Sequence, residues 1–263
     1  MSNGTDDPGE KSTEEKLAEG TLLSHLVELR QRLVRIAIAV AVVFVCLLPF
    51  MQEIFVLVAK PATEALPAGK LIAINPASPV FTPLKLTFFV ALFLAMPIVL
   101  HQLWAFVAPG LYRREKRFAL PLLATSIVLF YAGIAFAFLV VFPLMFRFFT
   151  SAAPAAVDVQ TDIAEYLDFI TTIVFAFGLA FEVPIATVLV VWTGLTSPAK
   201  LSRARPYVFL IAFVVGMFLT PPDVISQTLL AIPIYLLYEL GIVMSRIFAL
   251  KPEEAGDEPG SGD

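Results

Sequence analysis

The chain has 263 residues, of which 59% are hydrophobic and only 15% charged, with a formal net charge of −4. A soluble domain is about half apolar and roughly a quarter charged, so this composition excludes a water-solvated globule and points to lipid as the main solvent. The acids are gathered at the two ends, and the negative balance therefore describes the tails rather than the apolar middle.

Residues 1–21 (MSNGTDDPGEKSTEEKLAEGT) combine low hydrophobicity with high charge and read as a disordered, solvated tail. They carry no basic stretch followed by an apolar run, so no cleavable signal peptide is expected. In LLSHLVELRQRLVR, residues 22–35, Leu22, Leu26, Leu29, Leu33 and Ile36 recur at helical spacing, while His25, Glu28, Arg32 and Arg35 share another face. This is an amphipathic surface helix leading into the first span. Glu28 can pair with Arg32 at i+4, which as an ordinary surface pair is worth about 0.2–0.5 kcal/mol.

A spanning helix needs about 20 mostly apolar residues. Residues 33–52, 82–108, 119–149 and 163–193 meet that length. The single cysteine, Cys46, lies in the first of them and is expected as a buried small hydrophobe without a redox role. Between the first two spans, residues 53–80 hold Pro61, Pro67, Pro76, Pro79 and the apolar IFVLVA, which predicts a short interfacial helix plus a cap. Residues 150–162 read as a loop ending in an N-cap near Asp162. Farther on, PYVFLIAFVVGMFL is too short to cross the hydrocarbon core as a straight helix; TPPD forces a turn and VISQTLLAIPIYLLYELGIVMSRIF returns. These two form a hairpin of short spans, bringing the total to six, and residues 251–263 form a second disordered acidic tail.

Lysine and arginine set the orientation of such a chain. Fourteen of the eighteen lie before span one, between spans two and three, between four and five, or after six; only Lys60, Lys70, Lys85 and Arg147 fall on the other side. Both termini are therefore expected in the cytoplasm. The loop GLYRREKR, residues 110–117, is one of the anchors, yet it keeps one carboxylate, Glu115, among four basic side chains.

Ionisable groups inside spans are expensive, on the order of 2.5–3.5 kcal/mol near mid-bilayer on insertion scales. Glu182, in GLAFEVPIA, is the clearest case, and Pro184 removes the partner of the Ala180 carbonyl and permits a kink there. Its carboxyl either bonds a neighbouring helix or faces a wet or partner-filled cavity, and the cavity is the preferred reading. Glu239 either snorkels to the cytoplasmic surface or serves a function; Lys85, near the outer end of span two, is expected to snorkel. Pro97, Pro121, Pro143, Pro184 and Pro233 each permit a bend, which together point to a concave scaffold. No glycine-rich phosphate loop is present, and His25, His101 and Cys46 lack metal-ligand spacing. No nucleophile and base stand out, so an enzyme is not expected.

Four stretches in order, HLVELRQRL, SPVFTPLKLTFFVALFLAMPIVLHQLWAFVAPGLYRREKR, FGLAFEVPI and LTPPDVISQTLLAIP, resemble the TatC family of the twin-arginine protein translocase, over roughly residues 20–250. The resemblance implies an all-α integral protein of the bacterial inner membrane, six kinked transmembrane helices forming a concave cup. It implies a receptor for the twin-arginine signal peptides of folded proteins, working with the single-span proteins TatA and TatB, in several copies per complex, on the transmembrane proton gradient and without cofactor, catalytic centre or nucleic acid. By the same resemblance Glu28 and Glu115 meet the signal arginines, with Arg30 and Phe106 beside them. Glu182 faces the concave interior, Asp223 sits in the TPPD hairpin, and Met217, Phe218, Thr220 and Gln227 belong to the partner site. The alternative from another class is a proton-coupled small-molecule transporter with Glu182 as carrier, though no internal repeat of the kind such transporters show is visible.

Overall fold

A computed structural model describes residues 8–65, 71–107, 116–152, 161–220 and 223–249. Among these the regular elements are all helices: α1 (Pro8–Leu47), α2 (Met51–Ala65), α3 (Ser78–Val107), α4 (Lys116–Phe136), α5 (Phe142–Ala152), α6 (Ile163–Ala180), α7 (Val183–Trp192), α8 (Pro198–Arg203), α9 (Arg205–Leu219) and α10 (Val224–Ala249). Five stretches are long and apolar enough to cross a bilayer: Leu26–Lys60, Ser78–Phe106, Leu120–Phe149, Ile163–Trp192 and Val224–Ile247; α9 is the sixth, shorter one. The six-span reading therefore holds. Of the final hairpin only α9, at 15 residues, is short; α10 runs for 26 and rises roughly 39 Å at 1.5 Å per residue, enough to span the core outright.

The first helix also differs from expectation. Its backbone is helical from Pro8, where the sequence reading starts a helix only at residue 22. EKSTEEKLAEG is rich in Glu, Lys, Leu and Ala, all good helix formers, so an upstream extension of the amphipathic helix has local support. Downstream, a 3₁₀ turn at Leu48–Phe50 carries α1 directly into α2, so the IFVLVA patch extends the first span instead of lying apart from it.

Neighbours pack in a row: α1 and α2 on α3, α3 on α4 and α6, α4 on α6, α7 on α10, and α10 on α9. One buried cluster joins Leu86 of α3, Phe142 and Met145 of α5, Ile170, Ile173 and Phe177 of α6 and Leu230 of α10; a second joins Met96, Leu100 and Trp104 of α3, Phe130 of α4 and Ile185 of α7. Lipid offers apolar groups as good a solvent as another helix does, so close backbone approach through small residues matters more here than burial. Gly133 of α4 makes such an approach to the Phe177 backbone of α6, as does Gly241 of α10 against Pro184 and Thr187, while Gly178 of α6 leaves room for the Phe130 ring. The exposed apolar faces of α1 and α9 are what a lipid-facing surface requires. Cys46 lies on such a face: it is exposed, not buried, because an apolar position on an outer helix faces lipid as readily as core.

The prolines are accommodated in different ways. Pro184 ends α6 at Ala180 and α7 restarts at Val183, as the sequence predicts. Pro143 follows a π-helical turn at Ala137–Val141, in which the Phe142 N–H reaches back to the Ala137 carbonyl. Pro97 removes the N–H that would meet the Phe93 carbonyl, and the Tyr131 hydroxyl from α4 donates to that carbonyl instead, at 3.1 Å. Pro97, Pro121 and Pro233 thus stay inside continuous helices.

At the end of the bundle where α6 begins, Asp162 is the expected N-cap: its Oδ1 accepts from the backbone N–H of Ala164 at 2.7 Å and Glu165 at 3.3 Å. Oδ2 accepts from Ile74 N–H at 2.8 Å, and Ile72 bonds Thr161 and Ile163, so the segment after α2 is tied to the start of α6. These backbone donors, Ile74 foremost, hold the Asp162 carboxyl below the usual carboxylate range. A depressed folded-state pKa adds stability that is complete above the unfolded value of about 3.9 and is lost as pH falls through the lower folded value. Asp162→Ala is expected to lower the Tm by a constant amount between pH 5 and 7, with the gap to the parent closing below about pH 4; an unchanged gap at low pH would show that the carboxylate charge is not what the cap uses.

Candidate functional site

The residues that the sequence singles out fall into three places. At the first, Arg32 of α1 reaches over to the end of α3. Its Nε and Nη2 donate to Glu28 Oε1 at 3.1 and 2.5 Å, Nη2 also to the Ala105 carbonyl at 3.1 Å, and Nη1 to the Gln102 carbonyl and Oε1, each at 3.4 Å. The last carbonyls of a helix lack intrahelical partners and carry partial negative charge, so a guanidinium is a fitting cap for them. The pair is uneven: the Arg32 side chain is 17% exposed and the Glu28 side chain 41%. What the sequence offers as an ordinary surface ion pair is an exposed carboxylate resting on an anchored guanidinium. Arg30 is exposed on α1, and Phe106 is half-buried in the last turn of α3. Glu28 and Phe106 are thus brought to one end of the bundle by the Arg32 contact. Glu115 lies outside the described residues.

The second place is the break between α6 and α7. Glu182 is ten positions before Trp192, roughly 15 Å along the span from that end. Ser126 of α4 donates its hydroxyl to Glu182 Oε2, and Trp104 Nε1 of α3 donates to Ser126 Oγ at 3.4 Å. Ser126 is fully buried, and Glu182 Oε1 is buried with no hydrogen-bond partner among the described residues. One oxygen of Glu182 is thus bonded to a neighbouring helix, and the other is enclosed within the bundle. Glu182→Ala strands the Ser126 hydroxyl, which costs about 1–3 kcal/mol when buried, whereas Glu182→Gln keeps an acceptor. The alanine variant is expected to unfold at a clearly lower temperature in detergent than the glutamine variant; equal Tm values would remove the Ser126 bond from the account.

The third place is the α9–α10 hairpin. Met217 and Phe218 are exposed, at 49% and 80%, whereas Thr220 is buried and donates its hydroxyl to the Gly216 carbonyl at 2.9 Å. Gln227 turns inward, its Nε2 donating to the Phe213 carbonyl at 2.7 Å, across the close approach of Gly216. Asp223 is the N-terminal cap of α10: Oδ2 accepts from Ser226 N–H at 2.7 Å, while Oδ1 is buried without a partner among the described residues. The structure thus presents Met217 and Phe218 outward and uses Thr220, Gln227 and Asp223 to hold the hairpin.

Two ion pairs were not legible as pairs in the sequence. Lys85 does not simply snorkel: its Nζ lies 2.6 Å from Asp168 Oδ1 of α6, and both are about half exposed. Glu239 faces Arg205 across the base of the hairpin, with Nη2 donating to Oε2 at 2.8 Å and Tyr235 donating to Oε1 at 2.9 Å; Arg205 Nε is also 2.8 Å from Oε1, though off the N–H axis. Each partner is distant in sequence, and only the charge type hinted at it. Among the described residues no cluster of metal-ligating side chains occurs.

Comparison with known proteins agrees with this architecture. The family model described as Sec-independent protein translocase protein (TatC) matches residues 24–233. The Sec-independent protein translocase protein TatC of Escherichia coli K12 is 54% identical over 231 residues, covering 88% of this chain and 90% of that protein. The one from Azotobacter chroococcum mcd 1 is 54% identical over 240 residues, 90% and 94% of the two chains. A crystal structure of the twin arginine translocase receptor TatC superposes with a TM-score of 0.78 at 36% identity, covering 86% of this chain and 99% of that one. With the family model matching most of its length and relatives more than half identical, the chain belongs to the TatC family of Sec-independent protein translocase proteins, non-enzymatic integral proteins of the bacterial inner membrane.

Proposed function

We propose that the chain is the receptor and core subunit of a twin-arginine translocation system, binding twin-arginine signal peptides of folded cargo at its cytoplasmic end. Glu28 and Glu115 take the two signal arginines, with Arg30 and Phe106 at the rim of the same site. The observation that carries this reading is the half-exposed Glu28 carboxylate held over the end of α3, from which the chain runs on toward Glu115. A guanidinium pairs with carboxylate through a planar fork, whereas an ammonium is a point charge, so such a site favours Arg-Arg over Lys-Lys. The arginines and lysine around Glu115 support a cytoplasmic position for this end by the positive-inside rule, with both termini on the same side. They also compete for Glu115, which limits affinity and permits release.

Along α9 and α10 the exposed Met217 and Phe218 offer a surface to the single-span partners TatA and TatB, while the buried Thr220 and the inward-turned Gln227 hold the hairpin that presents it. Several copies assemble in the complex, and the proton motive force drives export, with Glu182 and Asp223 as polar positions of the membrane domain. Titration of a labelled signal peptide onto the chain in lipid nanodiscs tests the reading: tighter binding of the Arg-Arg peptide than of its Lys-Lys version is expected, and equal affinities would refute it.

The buried, unpartnered Oε1 of Glu182 favours one other reading, a proton-coupled transporter of small solutes. Solute uptake by the chain alone in proteoliposomes under a proton gradient would support that reading; the receptor is inert there without partners and cargo.

A further inference from the structure

We infer that Arg32 is the positioning residue of the signal-peptide site, fastening Glu28 to the last turn of α3 so that its carboxylate is presented in a fixed place. This inference rests on the proposal that Glu28 meets the signal arginine. Three observations carry it. Every nitrogen of the Arg32 guanidinium is engaged, Nε and Nη2 on Glu28 and Nη1 and Nη2 on Gln102 and Ala105. Two of the three acceptors on α3 are backbone carbonyls, of Gln102 and Ala105, and that of Ala105 lies in the last turn, where a cation is favoured by the helix dipole and the acceptor cannot swing away as a side chain can. And the guanidinium is the more buried member of the pair, so the exposed carboxylate is oriented from beneath.

Ala105 is two positions before Val107, the last residue of α3, after which the chain continues to Glu115. One guanidinium thus ties the helix carrying Glu28 to the end of α3. Lysine cannot replace it: an ammonium lacks the planar fork that spans a carboxylate and two carbonyls together.

The test is a double-mutant cycle on the full-length chain in lipid nanodiscs, reading affinity for an Arg-Arg signal peptide and for its Lys-Lys version in the parent, Glu28→Gln, Arg32→Gln and the double variant. Arg32→Gln is expected to weaken Arg-Arg binding at least tenfold, to narrow the Arg-Arg over Lys-Lys preference, and to add little once Glu28 is already Gln. Additive losses, unchanged affinity in Arg32→Gln, or tighter binding, which would make Arg32 a competitor of the peptide, each overturn the positioning role. If Glu28→Gln itself leaves binding unchanged, the recognition role of Glu28 fails and this inference with it; if Glu28→Gln weakens binding and Arg32→Gln does not, only the positioning role fails. Should Arg32→Gln not fold, Arg32→Lys carries the cycle: it keeps the charge and loses the fork, and full affinity and full preference in that variant would overturn the inference.

Discussion

Glu28→Gln is expected to weaken binding of an Arg-Arg signal peptide by about ten- to a hundredfold, because a hydrogen bond to a charged group is worth about 1.5–3 kcal/mol and each 1.4 kcal/mol is a factor of ten. Glutamine keeps the shape of the side chain and an oxygen for Arg32, whose Nε and Nη2 both address Oε1, so the loss reports the charge offered to the peptide and not a collapse of the α1–α3 contact. Glu115→Gln is expected to act in the same direction, and the two together to abolish the preference for Arg-Arg over Lys-Lys. Peptide titration in nanodiscs reads all three. Retention of the full preference in the double variant would place recognition elsewhere, with the exposed Arg30 and the half-buried Phe106 then the residues to examine.

The largest effect on stability is expected at Gly133. A Cβ there would sit 2.5 Å from the Phe177 carbonyl oxygen and 3.0 Å from both its carbon and Phe181 Cβ, and backbone of a packed helix cannot rotate aside. Glycine to alanine in a helix interior ordinarily gains about 1 kcal/mol. Here overpacking of about 1–3 kcal/mol opposes it. Gly133→Ala is therefore expected to lower the Tm in detergent and to loosen α4 from α6, which would displace Ser126 from Glu182, since Ser126 lies two turns before Gly133 on the same helix. A higher Tm for this variant would contradict the close helix approach. Gly241 is the parallel case, with a Cβ 2.2 Å from Thr187 Oγ1 and 3.0 Å from Pro184 Cα.

Much of this architecture is local in origin and so was legible in the sequence. Spans follow from length and apolarity, the Asp162 cap from its place before a periodic run, and the α6–α7 break from Pro184, all of which act within a few residues. The carbonyl released by Pro97 could also be named from sequence, but not the Tyr131 hydroxyl that satisfies it from another helix. The same limit hid Arg32 on α3, Lys85 on Asp168 and Glu239 on Arg205: each contact joins residues far apart in the chain, where periodicity is silent. It also hid which side of α1 faces lipid, and Cys46 was placed inward for that reason. At the hairpin, composition suggested two short spans, whereas the apolar run continues through Glu239 because Arg205 and Tyr235 satisfy its carboxylate.

The most direct measurement is site-specific photocrosslinking from position 115 to a signal peptide, in the assembled complex, comparing Arg-Arg with Lys-Lys peptides in the parent and in a Glu28→Ala background. The receptor account predicts strong crosslinking with Arg-Arg, weak crosslinking with Lys-Lys, and a loss of the Arg-Arg signal when Glu28 is replaced. Equal crosslinking of the two peptides, or none of either, would contradict it and reduce GLYRREKR to a topological anchor.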